Sequence, residues 1–507
     1  MTTTFHSTRS TTDSLTAKQA IRKGIADDGG LFVSDALGKT KVDVASLPGK
    51  SYQQIAAEVL GALLPDFTAE ELGQCIADAY GEQWSDERIT PLKPLGDDYV
   101  LELFNGPTSA FKDVALQILP RFMAHTTPAD GDADEKIMIL TATSGDTGKA
   151  ALEGFKGVDG VSIGVLFPDG GVSDIQRKQM VTTTGDNVQV WAVRGNFDDC
   201  QTGVKHAFAD EKFAEKLLDE YRIALSSANS INWGRLLPQV VYYISSYAEL
   251  VAAGKIEAGC PIDVCVPTGN FGNILAAWYA KQIGVPIERL LCASNDNRVL
   301  TDFINTGTYD ISDREFILTS SPSMDILVSS NLERQLFELT GRNGEAIRQW
   351  MADLADARCF RVDAETFRRV RENFSADSVD NATCLATIRE VLDAHDYLLD
   401  PHTAVAYAAA QNLRGENPVL IASTAHWAKF GNNVYRAIHG IEPSGELPAD
   451  VAALTGCELN KLIAEETGKH HIPAGLANLD TMQVRFTEVI DNDVEAIEDA
   501  AEAFLTR

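Results

Sequence analysis

Four stretches of this chain pair small, flexible residues with groups able to do polar chemistry: 104–112, 140–148, 266–273 and 422–430. Each follows one plan, an apolar run, a loop of small residues, then the start of a helical pattern. In the first, residues 100–104 read as a buried strand and Asn105-Gly106-Pro107-Thr108 as a turn. Phe111, Ala115, Ile118, Leu119 and Phe122 then recur at helical spacing. Thr108 or Ser109 is the expected cap, which puts Lys112 near the first turn. A cation sits badly there, because helix N-termini favour negative groups by about 0.3–1 kcal/mol. An amine that joins a carbonyl cofactor as an imine is partly relieved of that conflict. A solvated surface lysine is the plain alternative.

The second glycine-rich stretch, Gly269, Asn270, Phe271, Gly272 and Asn273, has the make-up of a phosphate cradle. Gly269 and Gly272 let backbone N–H groups approach an anion, and the helix expected next adds its positive end. A simple tight turn is the alternative. The stretch 143–149 ends in Gly148-Lys149 but is not a nucleotide-binding P-loop: Thr143 stands where the first glycine must be, and Ala150 where a hydroxyl must be. It is not a nucleophile elbow either, since Ala142 replaces a required glycine. What remains is a loop of hydroxyls and amides suited to a carboxylate or phosphate. Thr424, just past a strand end, offers a hydroxyl to a ring nitrogen or else caps the next helix. His426 and Lys429 lie close to it in sequence. His470 and His471 read as surface residues, and Asp198 and Asp199 as part of a turn.

These loops need a scaffold. From about residue 96, apolar runs alternate with glycine-rich breaks and amphipathic segments, the βαβ rhythm of a mostly parallel sheet with helices on both faces. Strands are expected at 136–140, 161–167, 188–193, 262–266 and 418–422, and helices from 149, 238 and 274. In such sheets ligands bind outside the carboxyl ends of the strands. The four loops are therefore expected at one sheet edge, as a composite pocket. Residues 1–95 read as an α-rich module with helices near 14–25, 52–64 and 69–80. Residues 125–135 are a polar loop, 300–395 read as helices and loops, and 441–507 as an acidic helical segment.

Composition narrows the function. At 507 residues, 45% hydrophobic and 23% charged, the chain can bury a large core in about two to four domains. A net charge of −30 repels nucleic-acid phosphates and anionic membranes, so neither is an expected partner. An anionic substrate then needs a local positive pocket. Eight scattered cysteines form no C-x-x-C pair and have no histidine at metal-ligand spacing, so reduced thiols and no metal are expected. The first nine residues hold no apolar run, and the longest one, near 240–253, is broken by Ser245, Ser246 and Glu249. A cytoplasmic protein is expected.

Taken together, the blocks resemble threonine synthase of the longer bacterial and fungal type, over nearly the whole chain. Gly106-Pro-Thr-Ser-Ala-Phe-Lys-Asp113 is similar to the family's cofactor-lysine motif. Phe5 to Arg9, Asp28 to Phe32, Ala142 to Gly148, Gly195 to Cys200, Ser230 to Trp233, Pro267 to Asn273, Ser323 to Ile326 and Thr424 to Phe430 look like its other blocks. Two positions depart: Asn105 where the family usually has His, and Trp427 where it usually has Pro.

The resemblance implies a fold-type-II pyridoxal phosphate enzyme, tryptophan synthase β-like. It would have an N-terminal module over 1–95 and a catalytic region over 96–440, with the cofactor between two α/β subdomains. The implied reaction takes O-phospho-L-homoserine and water to L-threonine and phosphate. Lys112 would hold the cofactor and act as base. Gly269 to Asn273 would hold its phosphate, and Thr424 would face the pyridine nitrogen. Ser144, Gly145, Asp146 and Thr147 would meet the substrate, with Arg235 and Lys429 as candidate grips on its phosphate. A monomer or homodimer is expected. The alternatives are a serine or threonine dehydratase or phospholyase of the same fold, and a non-catalytic protein that binds phosphorylated metabolites.

Overall fold

The computed structural model describes residues 4–10, 14–126, 135–143, 145–468 and 471–506. Its N-terminal module pairs two short strands on either side of a first helix and continues in two more helices. Strands β1 (Phe5–Ser7) and β2 (Phe32–Ser34) pair antiparallel, Phe5 opposite Ser34. Helices Ala17–Lys23, Tyr52–Leu63 and Ala69–Ala79 follow the expected periodicity. Each starts with a reciprocal capping box, Thr16/Gln19, Ser51/Gln54 and Thr68/Glu71. The strand pair was not expected; two strands of three residues carry too little pattern to read.

Two parallel sheets carry the rest. The larger is built from β3 (Leu92–Leu95), β4 (Asp98–Glu102), β9 (Ile262–Pro267), β10 (Ile287–Ser294), β13 (Phe374–Ser378) and β14 (Val419–Ser423). Their order is β13-β10-β9-β14-β4-β3. All neighbours are parallel except β3 and β4, an antiparallel pair that turns at Gly96 with φ +63°. The smaller comprises β5 (Lys136–Ala142), β6 (Val161–Pro168), β7 (Val188–Val193), β8 (Ile223–Ser226) and β15 (Val489–Ile490). It is parallel throughout, in the order β15-β7-β6-β5-β8. A small antiparallel pair, β11 (Thr308–Asp310) and β12 (Cys359–Arg361), stands apart. Every residue of β7, β9 and β14 is buried. That explains why these strands read as mostly apolar runs, with Gln189, Asp263 and Ser423 as buried polar members, rather than as alternating ones.

The sheets change two expectations. Residues 300–395 contain three strands besides helices. β13 went unseen because Ser375, Asp377 and Ser378 interrupt its apolar pattern, as befits the outermost strand of its sheet. The four loops also do not share one edge. Three follow the adjacent strands β9, β14 and β4 of the large sheet, and the fourth follows β5 of the small one. The site is thus assembled from two sheets.

The C-terminal segment closes on the small sheet through β15. The final helix, Val494–Leu505, sets Ile497 against Gly203 and the Phe504 ring 6.3 Å from that of Trp191. The eight cysteines are unpaired, six of them buried. Among the described residues no helix is long and apolar enough to cross a membrane. Most of the polar loop at 125–135 and His470 lie outside the described residues, and His471 is exposed. Asp198 and Asp199 belong to the first turn of helix Phe197–Ala209 rather than a turn; Asn196 and Asp199 cap it reciprocally.

Candidate active site

The lysine loop between β4 and helix Lys112–Leu116 is held by Asp113. The carboxylate of Asp113 accepts from Thr108 N at 2.8 Å and from Thr108 Oγ1 at 2.6 Å. Gly106 packs so closely on Asp113 that any side chain there would collide with it. Neither Thr108 nor Ser109 caps the helix, contrary to expectation. Phe111 occupies the cap position without a side-chain bond, because the Thr108 hydroxyl is spent on Asp113. The expected single helix breaks after Leu116 and resumes as Leu119–Ala124, with Pro120 in its first turn, where a missing N–H costs nothing. Ser109 adopts a left-handed backbone, φ +60°, and its buried hydroxyl has no partner among the described residues.

This loop is stitched to the one after β14. Phe111 N donates to Thr424 O at 2.8 Å and His426 N to Ser109 O at 3.1 Å. The short helical turn Trp427–Lys429 is capped by His426, whose Nδ1 accepts from Ala428 N at 3.2 Å. Thr424 is therefore not the cap. It is buried.

Across the pocket, Asp146 opens helix Asp146–Phe155 below β5. Its Oδ1 accepts from Lys429 Nζ at 2.9 Å and Gln176 Nε2 at 2.9 Å. Its Oδ2 lies 3.9 Å from Lys112 Nζ and 3.5 Å from Ser323 Oγ. Burial pushes this carboxyl up, but the Lys429 and Lys112 ammoniums outweigh it and hold it well below the usual range. Gly145 takes φ +142° against the Gln176 side chain, a place where only glycine fits. The N–H groups of Gly145 and Gly148 are committed to Thr143 Oγ1, at 3.0 and 2.9 Å. Thr147 is half-buried on the same turn, and Ser144 lies outside the described residues.

Lys112 Nζ sits in this buried, charged setting. Burial pulls its amine down to about 8; Asp146 resists, while Arg235 and Lys429 add to the depression. Lys429 also donates to Thr108 O at 2.9 Å, so it ties the lysine loop to Asp146 across the two sheets. Arg235 is 5% exposed and donates to Ala228 O at 2.8 Å, with no carboxylate partner among the described residues. Burial alone lowers it to about 10.

The glycine loop after β9 is a built cradle. Phe271 turns it with φ +62° into helix Gly272–Ile283. A side chain at Gly269 would press on Ser323 O at 3.0 Å. Gly269 O accepts from Ser329 Oγ at 2.7 Å, and Asn270 O from Asn331 N at 3.0 Å. Asn273 Oδ1 accepts from the Tyr242 and Tyr243 hydroxyls, while its Nδ2 is buried without a partner among the described residues. An orphan amide donor beside a helix N-terminus and close-packed glycines fits a phosphate.

Sequence reasoning missed several residues here. Ser323 N donates to His402 Nε2 at 3.0 Å, so that nitrogen accepts and Nδ1–H points to Asp400 Oδ1, 2.8 Å away. Gln176, Asn331 and Arg334 were missed as well. Only Gln176 left a signal, as the fourth residue of the capping box opened by Ser173.

Family comparison gives this geometry a setting. A model of the threonine synthase N terminus matches residues 4–80, one of pyridoxal-phosphate dependent enzymes matches 87–424, and one of the threonine synthase C-terminal region matches 403–500. Threonine synthase of Pseudomonas aeruginosa is 38% identical over 89% of this chain and 93% of its own. The chain belongs to the threonine synthase family. The crystal structure of pyridoxal phosphate-bound threonine synthase from Brucella melitensis superposes with a TM-score of 0.86 at 35% identity, covering 100% of both chains. Threonine synthase-like 1 of Homo sapiens is 43% identical over 83% of this chain, which spans 58% of that protein's length. The fold is thus the fold-type-II pyridoxal phosphate fold, and pyridoxal phosphate is the cofactor. The residues present fit it: a partly buried lysine of lowered basicity, and a glycine loop with a donor unsatisfied among the described residues.

Proposed function

We propose that this member of the family converts O-phospho-L-homoserine and water to L-threonine and phosphate. The observation that carries the reading is Arg235, a buried guanidinium without a carboxylate partner among the described residues. Lys112 and Lys429 bring two further cations to the same pocket, against Asp146 and a buried Asp113. Uncompensated buried charge is costly, so the pocket asks for anions. A surplus of this size suits a substrate that brings a phosphate besides that of the cofactor. Substrates of a serine or threonine dehydratase carry none and would leave Arg235 unpaired.

On this reading Lys112 joins the cofactor, Gly269 to Asn273 hold its phosphate, and Thr424 turns its hydroxyl to the ring nitrogen. Residues 144–147 receive the substrate carboxylate, and Arg235 with Lys429 its phosphate. The bound cofactor spreads the charge left when a C–H bond next to the substrate amine breaks. Lys112, with an amine lowered to about 8, can take the Cα proton near neutral pH and hand one back. In the net change Cβ loses a proton and gains the water oxygen, while Cγ loses phosphate and gains a proton. Asp146 orients both ammonium groups through its two oxygens.

The test is a product assay on purified holoenzyme given O-phospho-L-homoserine. Threonine and phosphate in equal amounts support the reading. Formation of 2-oxobutanoate would reassign the protein as a lyase of the same fold. Firm cofactor binding with no turnover of any of these substrates would sink an enzymatic role.

A further inference from the structure

The N-terminal module carries no residue of the pocket, yet it reaches the cradle through one buried arginine. Arg334, 0% exposed, sits near the start of helix Leu332–Leu339. Its guanidinium divides three ways. Nε donates to Phe32 O of β2 at 3.0 Å, Nη1 to Asn331 Oδ1 at 2.6 Å, and Nη2 to Ile231 O at 2.5 Å. Asn331, equally buried, passes the connection on. Its Nδ2 donates to Asn270 O and to Ser230 O, each at 3.1 Å, and its backbone N donates again to Asn270 O. The same Nδ2 lies 3.5 Å from where a side chain on Gly272 would begin.

Beside this runs a second tie. The carboxylate of Glu333 accepts Arg9 Nε at 2.9 Å, Arg9 Nη2 at 2.8 Å and Thr8 Oγ1 at 2.5 Å. Thr8 Oγ1 in turn accepts from Leu31 N at 2.9 Å. Consecutive residues of one helix thus grip β2 and the residues just past β1, while the residue at its foot grips the glycine loop. A planar guanidinium suits this, because its donors point in fixed, divergent directions. Bonds to a charged donor in a dry interior are also the stronger kind.

We propose that the paired N-terminal strands β1 and β2 brace the cofactor-phosphate cradle, with Arg334 as the positioning residue that transmits the brace through Asn331. The proposal rests on the reading of residues 269–273 as that cradle. Its consequence is selective: severing the brace should weaken the hold on the cofactor's phosphate and leave the hold on its ring and aldehyde.

The experiment titrates apoenzyme with pyridoxal phosphate and with pyridoxal, which lacks the phosphate, following cofactor absorbance. The ratio of the two affinities reports the cradle alone. Arg334→Lys keeps the charge but cannot serve three acceptors. It should lower that ratio by roughly 5- to 150-fold, the usual range for coupling between sites, with pyridoxal affinity unchanged. Arg9→Ala, at the solvent edge of the second tie, should move the ratio the same way by less, and it decides the matter if Arg334→Lys does not fold. A folded Arg334→Lys protein with the wild-type ratio, or one losing both ligands equally, would overturn the proposal. Gly269→Ala separates the underlying assumption. A reduced ratio supports the cradle, whereas an unchanged one would remove the cradle assignment and the brace with it. No turnover is measured, so the identity of the substrate does not enter.

Discussion

Asp146 is the residue on which the electrostatics of the pocket turn, and Asp146→Asn isolates its charge. Asparagine is nearly the same shape and can still accept from Lys429, now 2.9 Å from Oδ1. What disappears is the negative charge 3.9 Å from Lys112 Nζ. At that separation two unit charges interact by about 4 kcal/mol in an effective dielectric of 20, equivalent to roughly 3 pKa units. Water and small movements reduce this, so a fall of about 1 to 3 units is the expectation. The sign follows from the balance at Lys112. Burial, Arg235 and Lys429 all lower its amine, and Asp146 is the chief group holding it up to about 8.

The assay is the rate at which apoenzyme captures pyridoxal phosphate through Lys112, followed by absorbance across pH. Capture needs the free amine. With a midpoint of about 8, roughly a tenth of the wild-type amine is free at pH 7. A midpoint lowered by 2 units would free about nine tenths, so capture should quicken about tenfold at pH 7. Ionisation of the cofactor itself is common to both proteins and cancels. Neutralising one partner of a buried ion pair should also cost about 3–5 kcal/mol of stability, read by denaturant unfolding. A folded Asp146→Asn protein whose capture midpoint stayed at the wild-type value, or rose, would refute the reasoning.

Further consequences can be checked separately. Arg235→Met, which removes a buried guanidinium and keeps the chain length, should raise KM for O-phospho-L-homoserine by roughly 10- to 150-fold, the worth of about 1.5–3 kcal/mol for a charged hydrogen bond. An unchanged KM would take Arg235 out of the substrate site. Gly145→Ala must force a side chain into Gln176 at φ +142°, so a loss of about 1–3 kcal/mol in unfolding free energy is expected; wild-type stability would contradict the packing. Burial pushes Asp113 up to about 6 from an ordinary 3.8, so between these values the folded state holds a proton that the unfolded chain releases. Its contribution is full below pH 3.8 and lost as pH rises through about 6. The difference in stability between wild type and Asp113→Asn should therefore shift between pH 4 and 6, and a difference flat across that window would contradict the raised value.

What could be read from the chain followed the range of the interactions. β7 was bounded to the residue at Val188–Val193, because a strand buried on both faces leaves a run that is apolar at every position but Gln189. The four loops were visible because glycine, proline and hydroxyl residues mark strand ends wherever they fall. Their division between two sheets was not, since strand order is set by pairings such as β14 between β9 and β4. Arg334 gave no local sign at all. Its acceptor Phe32 O lies 302 residues away, and a buried arginine looks like an exposed one until the fold closes. His402 was hidden for the same reason, 79 positions from the Ser323 amide it receives. Thr108 misled because capping is a local rule, and here a buried carboxylate five residues on competed for the hydroxyl.

The contrast between the pocket and the whole chain has a kinetic consequence. The pocket gathers Lys112, Arg235 and Lys429, yet the chain as a whole carries a net charge of −30. On the proposed function, a phosphorylated amino acid approaching from solvent meets the repulsive field of the whole protein before it feels these enclosed cations. At an ionic strength of about 0.01 M the screening length is roughly 30 Å and that field reaches well into solvent; at about 0.15 M it is roughly 8 Å. The buried cations, enclosed in low dielectric, are screened far less. Raising salt from about 0.01 to 0.15 M should therefore increase kcat/KM, since it removes repulsion on approach and spares attraction within. The effect belongs to encounter, so kcat at saturation should stay level. A kcat/KM that falls steadily over that range would mean that attraction by the positive site already governs the approach, and that the surface around its mouth is not acidic.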